Sequence, residues 1–532
     1  MAQAITPQEF VSKWDKIQQK ETAVSQSHFN DICRLVGHLT PIEYDRTGAA
    51  FSFETQTTKA DGGKGFADVY FRDHFIWEYK GPHKDLDKAY QQLQLYRESL
   101  HNPPLLITSD IRTIIIHTNF NNYPTQRHKI TFANILNGDG LEKLRWAFFT
   151  PDKFKPTKTQ QQITTASADT FVKVADAMKA HQKITGEQYT PEQLAHFMVR
   201  LLFCLFAEDM GLLPHNIFSQ IIQAQSRQDT DLRFGLRNLF REMRGGGVFG
   251  FYQIRHFDGT LFDDEFVPDI PHDLALALLQ AAEQDWAEID PSIFGTLFER
   301  VIDEDKRAQL GAHYTSETDI MLIVEPVLMA PLKTRWEETR LQANTLAATD
   351  PDAAYQLLTT FSQELATMRV LDPACGSGNF LYVALRELLN LQKQVIAYAA
   401  RKELPPIELT VSPQQLFGIE INPYAHELAQ ITAWIGYLQW RSANGFGEMA
   451  DPILRPLHNI RRMDAILAYD TNGHPTEPEW PPAEVIIGNP PFLGGNKIRQ
   501  ELGDNTVDNL FRLYDGRIPA FADLVCYWFE KA

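Results

Sequence analysis

Three charged residues interrupt a run that otherwise reads as a quiet hairpin: Asp68, Glu78 and Lys80 within GFADVYFRDHFIWEYKGP, residues 65–82. With Arg72-Asp73-His74 as a three-residue turn, the strands pair Phe71 with Phe75, Tyr70 with Ile76, Val69 with Trp77 and Asp68 with Glu78. Side chains alternate along a strand, so Lys80 shares the face of Glu78, while Val69, Phe71, Trp77 and Tyr79 point to the other side. One packed face and one charged face are expected. Carboxylates directly opposite each other destabilise a ladder unless a cation neutralises them. A Mg²⁺ ion held by Asp68 and Glu78 would do so and could lower the pKa of a bound water beside a scissile phosphate, with the Lys80 ammonium stabilising developing charge. That is the chemistry of a phosphodiester hydrolase. An ordinary exposed hairpin is the other reading of this stretch alone, since charged strand faces are common.

A second group lies in MRVLDPACGSGNFLYVALREL, residues 368–388. A short apolar strand ends in Asp372, a loop with Gly376 and Gly378 follows, and a helix starts near Asn379, the layout of a nucleotide-type cofactor site. The two glycines would let the backbone approach a ligand. Because the spacing is GSG and not GxGxxG, a nicotinamide cofactor is not favoured. LFGIEINPYA supplies another strand, ending in Glu420, placed to hold two ribose hydroxyls, and AEVIIGNPPF a third, ending in Asn489-Pro490-Pro491-Phe492.

The elements that must position these groups divide the chain. Its 532 residues, 44% of them hydrophobic, have room for roughly three or four domains with real cores. Residues 1–150 read as a mixed α/β unit: a helix carrying Glu21, Phe29, Ile32 and Leu35, the hairpin, helical LDKAYQQLQLYRESL, then strand-like PLLITSD and RTIIIHTNF. Residues 151–168 are polar and aperiodic and read as a linker, and residues 169 to about 290 read as mostly helical, with Thr190-Pro191 as a helix start. The net charge of −18 argues against indiscriminate nucleic-acid binding. Residues 1–150 nevertheless balance 17 Lys and Arg against 17 Asp and Glu, so the acid excess falls entirely after residue 150. Cys33, Cys204, Cys375 and Cys526 show no CxxC spacing and read as reduced thiols. No apolar run approaches the length of a membrane span, and a soluble, cytoplasmic protein is expected.

DPACGSGNF followed by NPPF resembles the amino-group DNA methyltransferases that use S-adenosylmethionine. The resemblance implies that the loop of Asp372, Ala374, Gly376, Gly378 and Asn379 cradles the cofactor's methionine part, that Glu420 holds its ribose, and that Asn489, Pro490, Pro491 and Phe492 receive the target amino group. GAHYTS, residues 311–316, looks like a further cofactor motif and brings in Thr315, and Asp464 in IRRMDAIL resembles the residue that contacts the adenine. Upstream of such a unit, Asp68, Glu78 and Lys80 resemble the PD-(D/E)xK nuclease of the MmeI-like, type IIL, single-chain restriction-modification enzymes.

Adenine N6 is the expected acceptor. An exocyclic amino group is a poor nucleophile, so a site must hold both N–H groups and turn the lone pair toward the methyl; Asn489 Oδ1 and the Pro490 carbonyl can accept those bonds, and Phe492 can stack on a base flipped out of double-stranded DNA. No cysteine here follows proline, as a cytosine-C5 enzyme would need. Cys375 reads as packing beside the cofactor, and Trp434, Tyr437 and Trp440 as core; His313 reads as either a contact to cofactor or substrate or a structural histidine, and Glu21 as a candidate further metal carboxylate.

The expected organisation is therefore α/β and multidomain: a PD-(D/E)xK α/β nuclease fold at 1–150, a linker at 151–168, a helical spacer at 169–295 and an incomplete class I, Rossmann-like methyltransferase domain at 296–532. Four parallel strands are expected near residues 369, 416, 460 and 485, where the family's sheet has seven. The sequence thus resembles the front part of a longer enzyme, by truncation or by a split gene, and three readings stay open: a bifunctional adenine methyltransferase and endonuclease, a methyltransferase whose nuclease domain is inactive, and a noncatalytic fragment that pairs with a second polypeptide carrying the missing strands and target-recognition domain.

Overall fold

The computed structural model describes residues 5–17, 21–58, 64–81, 85–186, 189–226, 232–257, 260–270, 272–295, 315–447, 453–494 and 497–532. Helix Glu21–Val36 precedes a six-stranded sheet whose spatial order is the chain order, β1 (Phe51–Thr58), β2 (Lys64–Phe71), β3 (Phe75–Tyr79), β4 (Leu105–Ser109), β5 (Thr113–Thr118) and β6 (Arg127–Thr131). All neighbours are antiparallel except β3 and β4, which run parallel and are joined through helix Leu86–Tyr96. Turn and alternation set three pairs of the hairpin as expected, Phe71 with Phe75, Tyr70 with Ile76 and Val69 with Trp77; the expected fourth pair, Asp68 with Glu78, does not form, because the ladder ends at Val69 and the Asp68 carboxylate accepts the Tyr79 amide instead.

The expectation of one packed and one charged face needs correction. Val69, Phe71, Trp77 and Tyr79 do enter one core, around Phe29 of the first long helix. On the opposite face Tyr70 and Ile76 pack with Leu93, Leu100 and Leu106 in a second apolar cluster, which Ala67 joins. Every residue of β3 is buried. The charged residues are confined to the end of the hairpin because helix Leu86–Tyr96 covers the rest of that face.

Residues 160–168, read as linker, are the first turns of a 26-residue helix, Gln160–Thr185. Thr159 caps it, accepting from the Gln162 amide while the Gln162 side chain returns to the Thr159 amide. The hydrophobic pattern is silent there because the buried positions are Thr164 and Ser167; apolar contacts begin with Phe171, Val174 and Met178. Further helices follow, among them Pro191–Asp209, capped by Thr190 as expected, and a short hairpin of β7 (Gly247–Phe249) and β8 (Tyr252–Ile254).

A parallel sheet then forms from β9 (Val370–Asp372), β10 (Leu416–Glu420), β11 (Ile460–Arg462) and, after a small hairpin of β12 (Ala468–Tyr469) and β13 (Pro475–Thr476), β14 (Val485–Ile486). Its order is β11-β10-β9-β14, all parallel. The strands start where expected. Helices Asn379–Arg401 and Pro423–Ala443 follow β9 and β10, and Trp434, Tyr437 and Trp440 are core.

One segment, 286–292, ties these parts together. The Trp286 amide donates to Asp209 Oδ2 at 2.7 Å, Gln439 Nε2 to the carbonyls of Ala287 and Ile289 at 2.9 and 2.7 Å, and Gln160 Nε2 to the Glu288 carbonyl at 2.9 Å. Lys393, on the helix after β9, bonds Asn444 at 2.6 Å and pairs with Glu98 beside the first sheet.

Candidate functional site

Asp372, Glu420 and Asp464 stand at or just beyond the carboxyl ends of adjacent parallel strands, where open α/β sheets bind ligands. Asp372 Oδ1 accepts the Ala374 amide at 3.0 Å, the Cys375 amide donates to the Ile419 carbonyl at 3.0 Å, and Glu420 Oε2 accepts the Gly376 amide at 2.9 Å. Glu420 Oε1 accepts from the Asn422 amide at 2.7 Å. The glycine loop is thus tied to both strands before any ligand is considered. Asp464 Oδ1 accepts from the Ile466 and Leu467 amides at 2.8 and 3.1 Å. Burial raises the pKa of all three acids, most at Asp372, which rises from 3.8 to about 7.

The two loop glycines have different jobs. Gly376, with φ +52°, has open space where a Cβ would stand, so a ligand can come close. Gly378, with φ +84°, would place a Cβ 2.9 Å from Ala429 Cα: it lets the loop pack on helix Pro423–Ala443. Asn379, expected at the cofactor, is mostly buried and its Nδ2 donates to the Ser292 carbonyl at 3.2 Å. Cys375 is buried packing, as expected.

A folded-state pKa raised for a carboxylate means that Asp372 costs stability as pH rises. The penalty is absent below its unfolded value near 4, grows toward about 7 and is constant above. Asp372→Asn retains an acceptor for the Ala374 amide. Its melting temperature relative to wild type should therefore climb across that window, by the equivalent of roughly 1 kcal/mol of stability per pH unit traversed, and scanning calorimetry at pH 5 and pH 8 checks this. Equal differences at both would refute it.

Beyond β14, Asn489 is exposed, Pro490 and Pro491 are half-buried and Phe492 is 67% exposed. Asn489 Nδ2 donates to Thr315 Oγ1 at 3.2 Å. Of GAHYTS only Thr315 and Ser316 lie among the described residues; His313 lies outside them.

At the hairpin, Asp68 Oδ2 accepts the Tyr79 amide at 2.6 Å, and Lys80 Nζ donates to Glu78 Oε1 at 2.8 Å and to Gln92 Oε1 at 3.1 Å. Glu78 is 4% exposed. Lys80 already supplies Glu78 with a counter-charge, so carboxylate repulsion by itself does not demand a metal. Burial raises the Asp68 pKa, opposed by the Tyr79 amide and Lys80.

Two neighbours escaped the sequence reading. Gln92 comes from the covering helix. Glu54 lies in β1 between Phe53, paired with Val69, and Thr55, paired with Ala67, which sets it across from Asp68; it has φ +50° and its charge pushes the Asp68 pKa up further. The serine- and threonine-rich stretch around Glu54 carried no strand signal strong enough to find it. Glu21 opens its helix, but its side chain lies outside those described, and no group of three or more metal-ligating side chains occurs among the described residues. No helix among them is long and apolar enough to cross a membrane.

Fold and site together define a multidomain α/β protein carrying a methyltransferase domain. Three family models match in order: the MmeI N-terminal domain over residues 2–183, the MmeI helicase spacer domain over 192–262 and the MmeI DNA-methyltransferase domain over 346–532. The chain belongs to the MmeI-like family. It is 28% identical over 417 residues to DNA methyltransferase A of Bacillus subtilis (strain 168), a match covering 75% of this chain and 43% of that protein. It is 27% identical, with a TM-score of 0.55, to the type IIL restriction-modification enzyme MmeI, solved in complex with DNA; 69% of this chain and 48% of that chain are covered. The chain therefore spans less than half the length of each of these two relatives.

Proposed function

We propose that residues 296–532 serve methyl transfer from S-adenosylmethionine to adenine N6 in double-stranded DNA, and that residues 1–150 form a Mg²⁺-dependent endonuclease, the two joined by the helical spacer. One observation carries the methyltransferase assignment: the Gly376 amide donates to the Glu420 carboxylate at the ends of β9 and β10, beside the open space at Gly376, while the exposed Asn489 projects from the loop after β14, the other neighbour of β9.

The half-buried carboxylate of Glu420 and the open space at Gly376 fit a cofactor with vicinal ribose hydroxyls and a polar methionine tail. When bound, S-adenosylmethionine supplies an electrophilic methyl group on sulfur. Asn489 Oδ1 and the Pro490 carbonyl accept the two N–H groups of the target amine and so turn its lone pair outward. Phe492 is exposed to stack on the flipped base.

Glu420→Ala is expected to weaken S-adenosylmethionine binding by about 1–3 kcal/mol, the scale for losing hydrogen bonds to a charged group. Titration calorimetry showing unchanged affinity would remove Glu420 from the site. A specific observation favours a second reading of the N-terminal unit, as a nuclease fold without activity: Glu78 is ion-paired with Lys80 inside the fold. The cleavage experiment below separates the two.

A further inference from the structure

We propose that Thr315, expected from its motif at the cofactor, is instead a positioning residue for methyl transfer: its hydroxyl accepts from Asn489 Nδ2 and so holds the amide by its NH₂ end, leaving Oδ1 for the target. This rests on the assignment of Asn489 as acceptor for the substrate amino group.

A side-chain amide presents an oxygen and an NH₂ group of nearly the same shape. Only the oxygen can accept from an amino group; the flipped amide would set donors against donors. Something must therefore hold the NH₂ end, and it must be able to accept. Thr315 Oγ1 stands 3.2 Å from Asn489 Nδ2, across 174 positions of sequence.

Both partners are anchored. On the Asn489 side, the Ile487 amide donates to the Leu371 carbonyl at 2.9 Å, and a Cβ on Gly488 would come within 2.4 Å of Asp372 Oδ1, so the loop is pressed against the carboxyl end of β9. Past the prolines, the Leu493 amide donates to Asp523 Oδ1 at 2.9 Å. On the other side, Ser316 caps helix Glu317–Val324 by accepting the Asp319 amide at 3.2 Å, and Glu317 accepts from Arg386 Nη2 at 2.6 Å. Arg386 belongs to the helix that follows the glycine loop. Thr315 is thereby fixed relative to the cofactor loop, and through it Asn489 is fixed as well.

The test compares Thr315→Val, Thr315→Ala, Thr315→Ser and Asn489→Ala in the complete gene product. Cofactor affinity is measured by calorimetry and single-turnover methyl transfer at saturating S-adenosylmethionine and DNA. Thr315→Val and Thr315→Ala should slow transfer about 5- to 10-fold, the equivalent of one hydrogen bond, with cofactor affinity within about twofold of wild type. Thr315→Ser keeps the acceptor and should restore the rate. Thr315→Val should add nothing to the loss in an Asn489→Ala background.

A weakened cofactor affinity with a normal rate at saturation would place Thr315 on the cofactor and overturn the proposal. So would wild-type transfer by both Thr315→Val and Thr315→Ala while Asn489→Ala is inactive. An active Asn489→Ala would instead overturn the assignment of Asn489 itself.

Discussion

Asn489→Ala in the complete gene product is expected to lower methyl incorporation into DNA by about two to three orders of magnitude, the cost of losing one preorganised hydrogen bond that acts on the reacting group. Affinity for S-adenosylmethionine should stay within about twofold, because the hydrogen bonds that shape the glycine loop run between Asp372, Ala374, Gly376 and Glu420 and leave Asn489 out. The substitution removes an exposed side chain whose one described hydrogen bond goes to Thr315, so melting temperature should barely move. Tritiated methyl incorporation near the wild-type rate would sink the mechanism.

The second large effect belongs to the hairpin. If Asp68 and Glu78 share a Mg²⁺ ion, Asp68→Asn and Glu78→Gln should each cut Mg²⁺-dependent cleavage of plasmid DNA at least about a hundredfold, since a metal ion contributes several kcal/mol to such a reaction. Lys80→Ala should lose cleavage too, while metal-dependent melting persists, because an ammonium is not a ligand. Methylation should be untouched in all three, as the glycine loop and Asn489 lie on a separate sheet.

The geometry also decides what a cruder substitution would do. Repulsion between opposed carboxylates alone would make Asp68→Ala stabilising in metal-free buffer. Because Asp68 accepts the Tyr79 amide at 2.6 Å, the alanine variant should instead lose stability by about 1–3 kcal/mol. The amide-bearing variants are therefore the clean probes. Cleavage that survives Asp68→Asn and Glu78→Gln would move the cleaving site away from this hairpin, whereas no Mg²⁺-dependent cleavage by the unsubstituted protein would favour the reading of the N-terminal unit as inactive.

What the sequence determined by itself was local. The register from Val69–Trp77 to Phe71–Phe75 follows from a three-residue turn and period-two alternation, both properties of fewer than twenty consecutive residues. The helix after the glycine loop and the Thr190 cap were legible for the same reason: cap and turn chemistry acts within a few residues. Tertiary structure decided what faces what. Nothing near Glu78 announces that helix Leu86–Tyr96 will bury the charged face, or that Lys80 will bond Gln92. Gly378 reads as ligand space until Ala429 closes against it, and a threonine and serine seam hid the start of helix Gln160–Thr185 from any hydrophobic pattern. Thr315 and Asn489 meet only because an ion pair, a helix cap and the packing of a loop on β9 fix both ends. Alternation and capping are written in neighbouring residues, whereas a contact across 174 positions is set by which surfaces exclude water together.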